Sequence, residues 1–348
     1  MLTNFLPHSM TTINVALAVI YYQDKYLLGF RHQDQHQGNK YEFIGGKIDA
    51  DETATEALIR EVGEEVGMDI RGNVLVKLGR LHHHYGDKEV CLQVYKVALT
   101  DSQFAEYQHQ RHGLEGQALV WANQEELLSG VYPLPAANST ILSWLQLPTR
   151  ISITYPLTHF IEQSDASAAW LSYHQQQLPE QAWVYIRSKA NVRDGSEQLL
   201  IQQLQRLRPD IQCIIPHHDK SPVKPNTSVQ AYHLTQTELM YKSHQAYPID
   251  RPLVISCHDA ASIEAANRLA ASRLLNQQPP AIGVFLSPVL VTQTHPNEQP
   301  LGWEAWSGLA QLADIPVIAL GGLSSTMYQH ATHYGATSIA GIRQFMNS

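Results

Sequence analysis

Glu61, Glu64 and Glu65 stand three and four residues apart in a stretch, residues 53–66, with helical spacing of apolar side chains. On a helix those three carboxylates share one face. Like charges so placed repel by about 0.2–0.5 kcal/mol per pair in an isolated helix. A hard divalent cation reverses that sign, because such ions take carboxylate oxygens and, for magnesium, keep bound water and substrate phosphate. A backbone carbonyl from Gly45-Gly46 can join such a site, since glycine lets the main chain approach closely. Arg60 can orient a carboxylate through a two-pronged hydrogen bond. A solvated acidic helix face is the other reading of the same residues.

The elements that would position this cluster follow from the flanking pattern. NVALAVIYY and KYLLGFR read as strands joined by a hairpin at Gln23-Asp24. Gly45-Gly46 breaks the pattern before the helix. VLVKLGRLHHHY and KEVCLQVYKVAL read as two further strands, LVWANQEELL as a strand and short helix, and ANSTILSWLQL as a closing helix. A mixed sheet flanked by helices is the implied architecture. His82, His83 and His84 alternate faces on a strand and so cannot converge on one ion.

The second half has another rhythm. Eight short apolar runs, from ISITYPL to SIAGIRQ, alternate with helical stretches over about 200 residues, which indicates a (β/α)8 barrel. The segment DKSPVKPNTS leaves room for at most a minimal helix between two of the strands. The expected boundary falls at Leu147-Pro148-Thr149-Arg150, giving domains 1–148 and 149–348.

Composition narrows the class. At 348 residues the chain is long enough for two domains. Most of the net charge of −8 falls in residues 1–148, as a multi-carboxylate site would produce. Neither half is basic, so direct nucleic-acid binding is not expected. No apolar run approaches the roughly 20 residues of a membrane helix. The start lacks the pattern of a signal peptide. Cys91, Cys213 and Cys257 are odd in number, far apart and set in apolar runs, so buried thiols and a cytoplasmic location are expected.

Gly46, Glu52, Arg60-Glu61, Val62, Glu64-Glu65, Gly67 and Met68 together resemble the Nudix box at every defined position. The resemblance implies a Nudix α/β/α sandwich and hydrolysis of a nucleoside-diphosphate-linked substrate. It implies Mg2+, with Mn2+ as a substitute, polarising the phosphates and lowering the pKa of the attacking water. Gly46, Glu61, Glu64 and Glu65 would serve the metal. Which glutamate is the general base stays open.

Outside the box, RHQDQHQGNKYEFIGGK, EGQ and PAANSTIL resemble the MutT-type 8-oxo-dGTP diphosphatases. That resemblance implies Arg31, Phe43 and Lys88 at the nucleotide, Glu115 at the metal and Asn138 at the purine edge. An amide both donates and accepts, so it can separate 8-oxoguanine from guanine at N7. A helix cap is the other role open to Asn138. Ile44 departs from the family's usual proline, and Lys88 supplies charge without an arginine's planar fork. The implied role is clearing oxidised nucleotides before DNA replication; a thiamine-pathway pyrophosphatase is the alternative.

Residues 151–348 resemble the thiamine-phosphate synthase and TenI barrels, most clearly in PVIALGG and in the Arg187-x-Lys189 pair. Arg187, Lys189, Ser256, Thr292, Thr294 and the Gly321-Gly322 turn would then hold a thiamine-related phosphate ester. Pro216-His217-His218, Glu238 and His295 depart from that family's metal and lysine positions. A phosphate-binding or ligand-sensing barrel is expected, with a bifunctional enzyme as the alternative.

Overall fold

The computed structural model describes residues 12–34, 38–84, 89–190, 195–217, 228–241, 247–293 and 299–347. Lys88, His218, Thr294 and His295 lie outside these residues, as does most of the segment 219–228 in which at most a minimal helix is expected.

The chain divides into two compact units, Met1–Leu142 and Ser143–Ser348. The division falls a few residues before the proline of the sequence boundary. The cause is Trp144, which is fully buried and donates its indole N–H to Ala281 O at 3.0 Å, inside the second unit.

The first unit contains β1 Thr12–Tyr22, β2 Lys25–Arg31, β3 Lys40–Glu42, β4 Ile44–Lys47, α1 Ala54–Val66, β5 Leu75–His84, β6 Glu89–Ala98, α2 Asp101–Tyr107, β7 Leu119–Asn123, α3 Gln124–Ser129 and the start of α4 Asn138–Leu145. The sheet runs β3-β2-β1-β6-β5, with β4 also paired to β1 and β7 to β2. The β1–β6 pair is parallel and the other pairs antiparallel, so the sheet is mixed as expected.

Helix α1 begins at a capping box in which Thr53 and Glu56 satisfy each other's backbone N–H groups. It stops at Gly67, in the left-handed conformation at φ 80°. Ala57, Leu58, Val62 and Val66 are buried against Ala16, Ala18 and Ile20 of β1. Each of the larger side chains contributes about 1.5–3 kcal/mol by leaving water. That packing turns the glutamate face toward β4.

One expectation is corrected. Gly45-Gly46 does not interrupt the sheet; both residues belong to β4, with Ala16 opposite Gly46 and Leu17 opposite Gly45. Gly45 has φ 148°, and a Cβ there would lie 2.0 Å from Ala16 O. The strand passes so close to β1 that only glycine fits.

The second unit is a closed eight-stranded barrel, every neighbouring pair parallel. Its elements are β8 Arg150–Ile153, α5 Ala166–Gln177, β9 Trp183–Tyr185, α6 Ser196–Leu207, β10 Gln212–Pro216, β11 Val229–Leu234, α7 Gln236–Tyr241, β12 Leu253–Cys257, α8 Ala260–Leu275, β13 Ala281–Leu286, α9 Gly302–Ala310, β14 Val317–Leu320, α10 Tyr328–His333 and β15 Ser338–Gly341. The three cysteines are buried thiols. Among the described residues no helix is long and apolar enough to cross a membrane.

His174 on α5 is fully buried and tied to two backbone groups. Its Nε2 accepts from Tyr155 N–H at 3.0 Å, and its Nδ1 donates to Trp170 O at 2.7 Å. Only the neutral ring can do both. Burial pushes its pKa down to about 4. The folded state therefore binds fewer protons than the unfolded chain below the unfolded pKa of about 6.5. This contribution is constant above that pH and is lost as pH falls toward 4. Between pH 7 and pH 5 the barrel's unfolding free energy should drop by about 2 kcal/mol from this group. Urea denaturation at the two pH values checks it, with His174→Gln expected to remove that part of the pH dependence.

Candidate active site

The site is built where α1 faces β4. Glu65 Oε1 accepts from Gly45 N–H at 3.3 Å. Gln117 donates from Nε2 to Glu65 O at 3.3 Å and to Glu65 Oε2 at 3.4 Å. Glu61 lies against Gly46, where a Cβ would come within 2.3 Å of the Glu61 carboxyl carbon. The bare main chain at Gly46 thus leaves the space the carboxylate uses.

Arg60 gathers the remaining acids. Its Nε and Nη2 grip Glu52 at 3.2 and 2.5 Å, the two-pronged contact anticipated for this arginine. Its Nη1 donates to Glu61 Oε1 at 2.9 Å and to Glu64 Oε2 at 3.0 Å. Glu64 is the exposed member of the set.

Burial and mutual repulsion govern the charges. The Glu65 pKa is pushed up to about 8, first by burial, then by the nearby Glu42 charge, with Glu61 and Glu115 adding to it. Burial also raises Glu61, opposed by Arg60 and assisted by Glu64 and Glu115. Glu115 is exposed and within electrostatic reach of both. Glu61, Glu64, Glu65, Arg60 and Gly46 are thus brought together, with Glu115 beside them.

The residues fit a hard cation. The donors are carboxylate oxygens and main-chain carbonyls, and Gln117 Oε1, on the side chain that holds Glu65, is a buried acceptor without a hydrogen-bond donor among the described residues. Among those residues no three His, Cys, Asp or Glu side chains form a ready-made metal cage. Magnesium does not require one, since it retains waters and commonly uses one or two carboxylates with substrate phosphates.

The nucleotide-side residues are placed as follows. Arg31, at the end of β2, donates from Nη1 to Glu42 Oε2. Phe43 is fully buried, so its ring is a packing group with no surface presented to a ligand. Asn138 is buried and is the first residue of α4 rather than the residue preceding it. Glu42 and Gln117 were not among the sequence candidates. Alternation in Tyr41-Glu42-Phe43 was a signal for Glu42, because a carboxylate beside an inward phenylalanine faces the other way. His82 Nδ1 lies 3.0 Å from Glu89.

Residues 15–144 match the family described as NUDIX domain. The chain is 32% identical over 133 residues to a CTP pyrophosphohydrolase of Escherichia coli (strain K12), covering 38% of this chain and 90% of that protein. The chain belongs to the Nudix family. An 8-oxo-dGTP diphosphatase of Escherichia coli (strain K12) is 28% identical over 138 residues, covering 39% of this chain and 98% of that one. An 8-oxo-dGTP diphosphatase of Haemophilus influenzae is 32% identical over 112 residues, covering 32% and 74%. The Nudix unit is therefore related to 8-oxo-dGTP diphosphatases. It is fused to a second unit in which residues 175–345 match the family described as thiamine monophosphate synthase.

The barrel carries its own polar site at the C-terminal ends of its strands. Tyr185 OH lies 2.8 Å from His233 Nδ1, and His233 Nε2 lies 2.7 Å from Ser256 Oγ. Burial and then the Arg187 charge push the His233 pKa down to about 3, so the ring is neutral. Arg187 is anchored by its N–H to Thr154 Oγ1 at 2.8 Å. Ser188 donates to buried Glu197 at 2.8 Å, which holds the loop that carries exposed Lys189. Gly322, two residues after β14, has φ 70°, and a Cβ there would lie 2.6 Å from Val291 O. Glu238 caps its own helix by accepting from Thr235 N–H at 2.9 Å. Tyr185 and His233 were also missed by the sequence reading.

Gly45 and Gly46 should respond differently to alanine. Gly45→Ala sets a Cβ against backbone in a conformation side chains avoid, and should cost more than about 3 kcal/mol of stability. Gly46→Ala meets only the movable end of Glu61, and should stay within about 1 kcal/mol of wild type while losing at least about tenfold in pyrophosphohydrolase rate. Urea denaturation and a pyrophosphate-release assay check the pair, and equal stability of the two variants would refute the β4 geometry.

Proposed function

We propose that residues 1–148 form a magnesium-dependent 8-oxo-dGTP diphosphatase, releasing 8-oxo-dGMP and pyrophosphate, within a chain whose residues 149–348 bind a phosphorylated ligand. The observation that carries the catalytic part is the Glu61–Glu65 pair held against the glycines of β4, with Arg60 across Glu52, Glu61 and Glu64.

In this reading Glu61, Glu64, Glu65, Glu115 and the Gly46 carbonyl would hold Mg2+, or Mn2+ in its place. The bound metal supplies charge neutralisation at the phosphates and a more acidic water. The protein's part is to fix the carboxylates. Arg60 restrains Glu61 and Glu64, and Gln117 and Gly45 restrain Glu65.

Arg31, Lys88 and Asn138 would orient the nucleotide. The relation to 8-oxo-dGTP diphosphatases supports the purine substrate. The relation to a CTP pyrophosphohydrolase supports a second reading with a pyrimidine triphosphate. The kcat/KM values for 8-oxo-dGTP, dGTP, CTP and hydroxymethylpyrimidine pyrophosphate on the full chain decide between them. On the first reading 8-oxo-dGTP leads, and Asn138→Ala narrows its lead over dGTP by about 1–3 kcal/mol. Glu61→Gln and Glu65→Gln should each lower turnover by about a hundredfold or more while the fold survives. Near-wild-type turnover in both would remove the cluster from the mechanism.

For the barrel, Arg187, Lys189, Ser256, Thr294 and Gly322 would form a phosphate clamp. The hydrogen bonds that Glu238 accepts from Thr235 at its own helix terminus argue against a metal-assisted coupling reaction there. Thiamine phosphate binding by calorimetry, weakened in Arg187→Ala and accompanied by no synthase turnover, is the expected outcome.

A further inference from the structure

The loop that carries Glu115 hangs from the end of α1. A helix leaves its last carbonyls without internal donors. α1 has no basic residue in its last turn to supply them. Instead Glu65 O accepts from Leu114 N–H at 2.7 Å and from Gln117 Nε2 at 3.3 Å. Val66 O accepts from Gln110 Nε2 at 3.0 Å, and Gly67 O from Tyr107 OH at 2.8 Å.

Residues 113–117 close on themselves. Gly113 N–H donates to Gln117 O at 2.8 Å, and Gly116 N–H to Gly113 O at 3.1 Å. The turn lies tight against α1, since a Cβ on Gly113 would come within 2.4 Å of Glu65 O. Glu115 stands in this turn, exposed and within electrostatic reach of Glu61 and Glu65. Gln110 lies outside the turn, yet its amide nitrogen also donates to His112 O at 2.9 Å. An amide nitrogen has two hydrogens, so this one can serve both carbonyls. It joins the end of α1 to the His112–Ala118 bridge at the base of the turn.

We propose that Gln110 is a positioning residue for the cation site, fastening the turn of Glu115 to α1 so that this carboxylate stands beside Glu61 and Glu65 before a nucleotide binds. This rests on the reading of Glu115 as a cation ligand. The physical reason is the cost of ordering. A carboxylate on a free loop loses that freedom when it meets an ion, and the loss is subtracted from affinity. Fastening the loop beforehand removes the cost, which matters for an ion that demands near-octahedral geometry. Glu65 is the shared reference, because its carboxylate faces β4 while its carbonyl receives two donors from the turn. Tyr107 bonds the same helix end but holds no part of the turn. It therefore separates a loosened helix end from a misplaced Glu115.

The experiment is Mn2+ binding to the full chain without nucleotide, followed by electron paramagnetic resonance of the free ion. Gln110→Met keeps length and packing but has no donor, and should raise the Mn2+ dissociation constant about tenfold. Glu115→Gln should raise it by about tenfold or more. The double variant should exceed Glu115→Gln by less than about twofold, since the two residues act as one unit. Tyr107→Phe should stay within about twofold of wild type. Circular dichroism checks that each variant is folded, and Gln110→Ala gives the same test should Gln110→Met not fold. Wild-type affinity in the Gln110 variant beside a weakened Glu115→Gln would overturn the proposal. An equal loss in Tyr107→Phe, or additive losses in the double variant, would do the same. Wild-type affinity in Glu115→Gln would overturn the reading of Glu115 as a ligand, and the proposal with it.

Discussion

The first unit is organised around a conflict: Glu61 and Glu65, one helical turn apart, are both driven partly out of water against β4. Two like charges so placed raise each other's free energy, and burial removes the screening that would relieve it. The surrounding residues answer that conflict one by one. Arg60 spans three acids, Gly45 offers an N–H, Gln117 offers an amide, and Arg31 pairs with Glu42, whose charge acts on Glu65. The hydrophobic stripe of α1 is what keeps the carboxylates there, because the buried Leu58, Val62 and Val66 cannot be withdrawn without exposing the core.

Much of this was legible before any coordinates. The i, i+3, i+4 acids, the apolar stripe, the capping residue and the closing glycine of α1 are local features, and local spacing determines which side chains share a face. The eight strands of the barrel were legible for the same reason. What escaped depends on pairing between distant segments. Gly45-Gly46 reads as a break because two glycines disfavour a strand, yet β1 runs so close at Gly45 that no side chain fits there. Gln117 reaches Glu65 from 52 positions away in the chain, and Tyr185 meets His233 across 48. No periodicity carries that information.

Phe43 and Asn138 show the same limit from the other side. Each was singled out through its neighbours in sequence, and each is buried. A motif identifies residue types but not how far a side chain stands from solvent, which is decided by the strands and helices that close over it. Phe43 is consequently a packing group, and it bears on a nucleotide only through the strand it anchors. Glu42, its immediate neighbour, pairs with Arg31 instead, because alternation along the strand gives the two residues opposite faces.

The barrel presents the converse electrostatic problem. Arg187 and Lys189 stand two residues apart, and the Arg187 charge, more than burial, lowers the Lys189 pKa. The same arginine helps keep His233 neutral, after burial. A like-charge pair of cations gains from an anion as the glutamates of the first unit gain from a cation, and a phosphate ester supplies that charge with oxygen acceptors for the fork of an arginine. The neutral Tyr185–His233–Ser256 chain adds hydrogen-bonding capacity without adding charge, so it can serve an uncharged portion of the same ligand. On the proposed reading, the barrel would discriminate through the distance between the phosphate and the polar part of the ligand, set by the strands that carry each group.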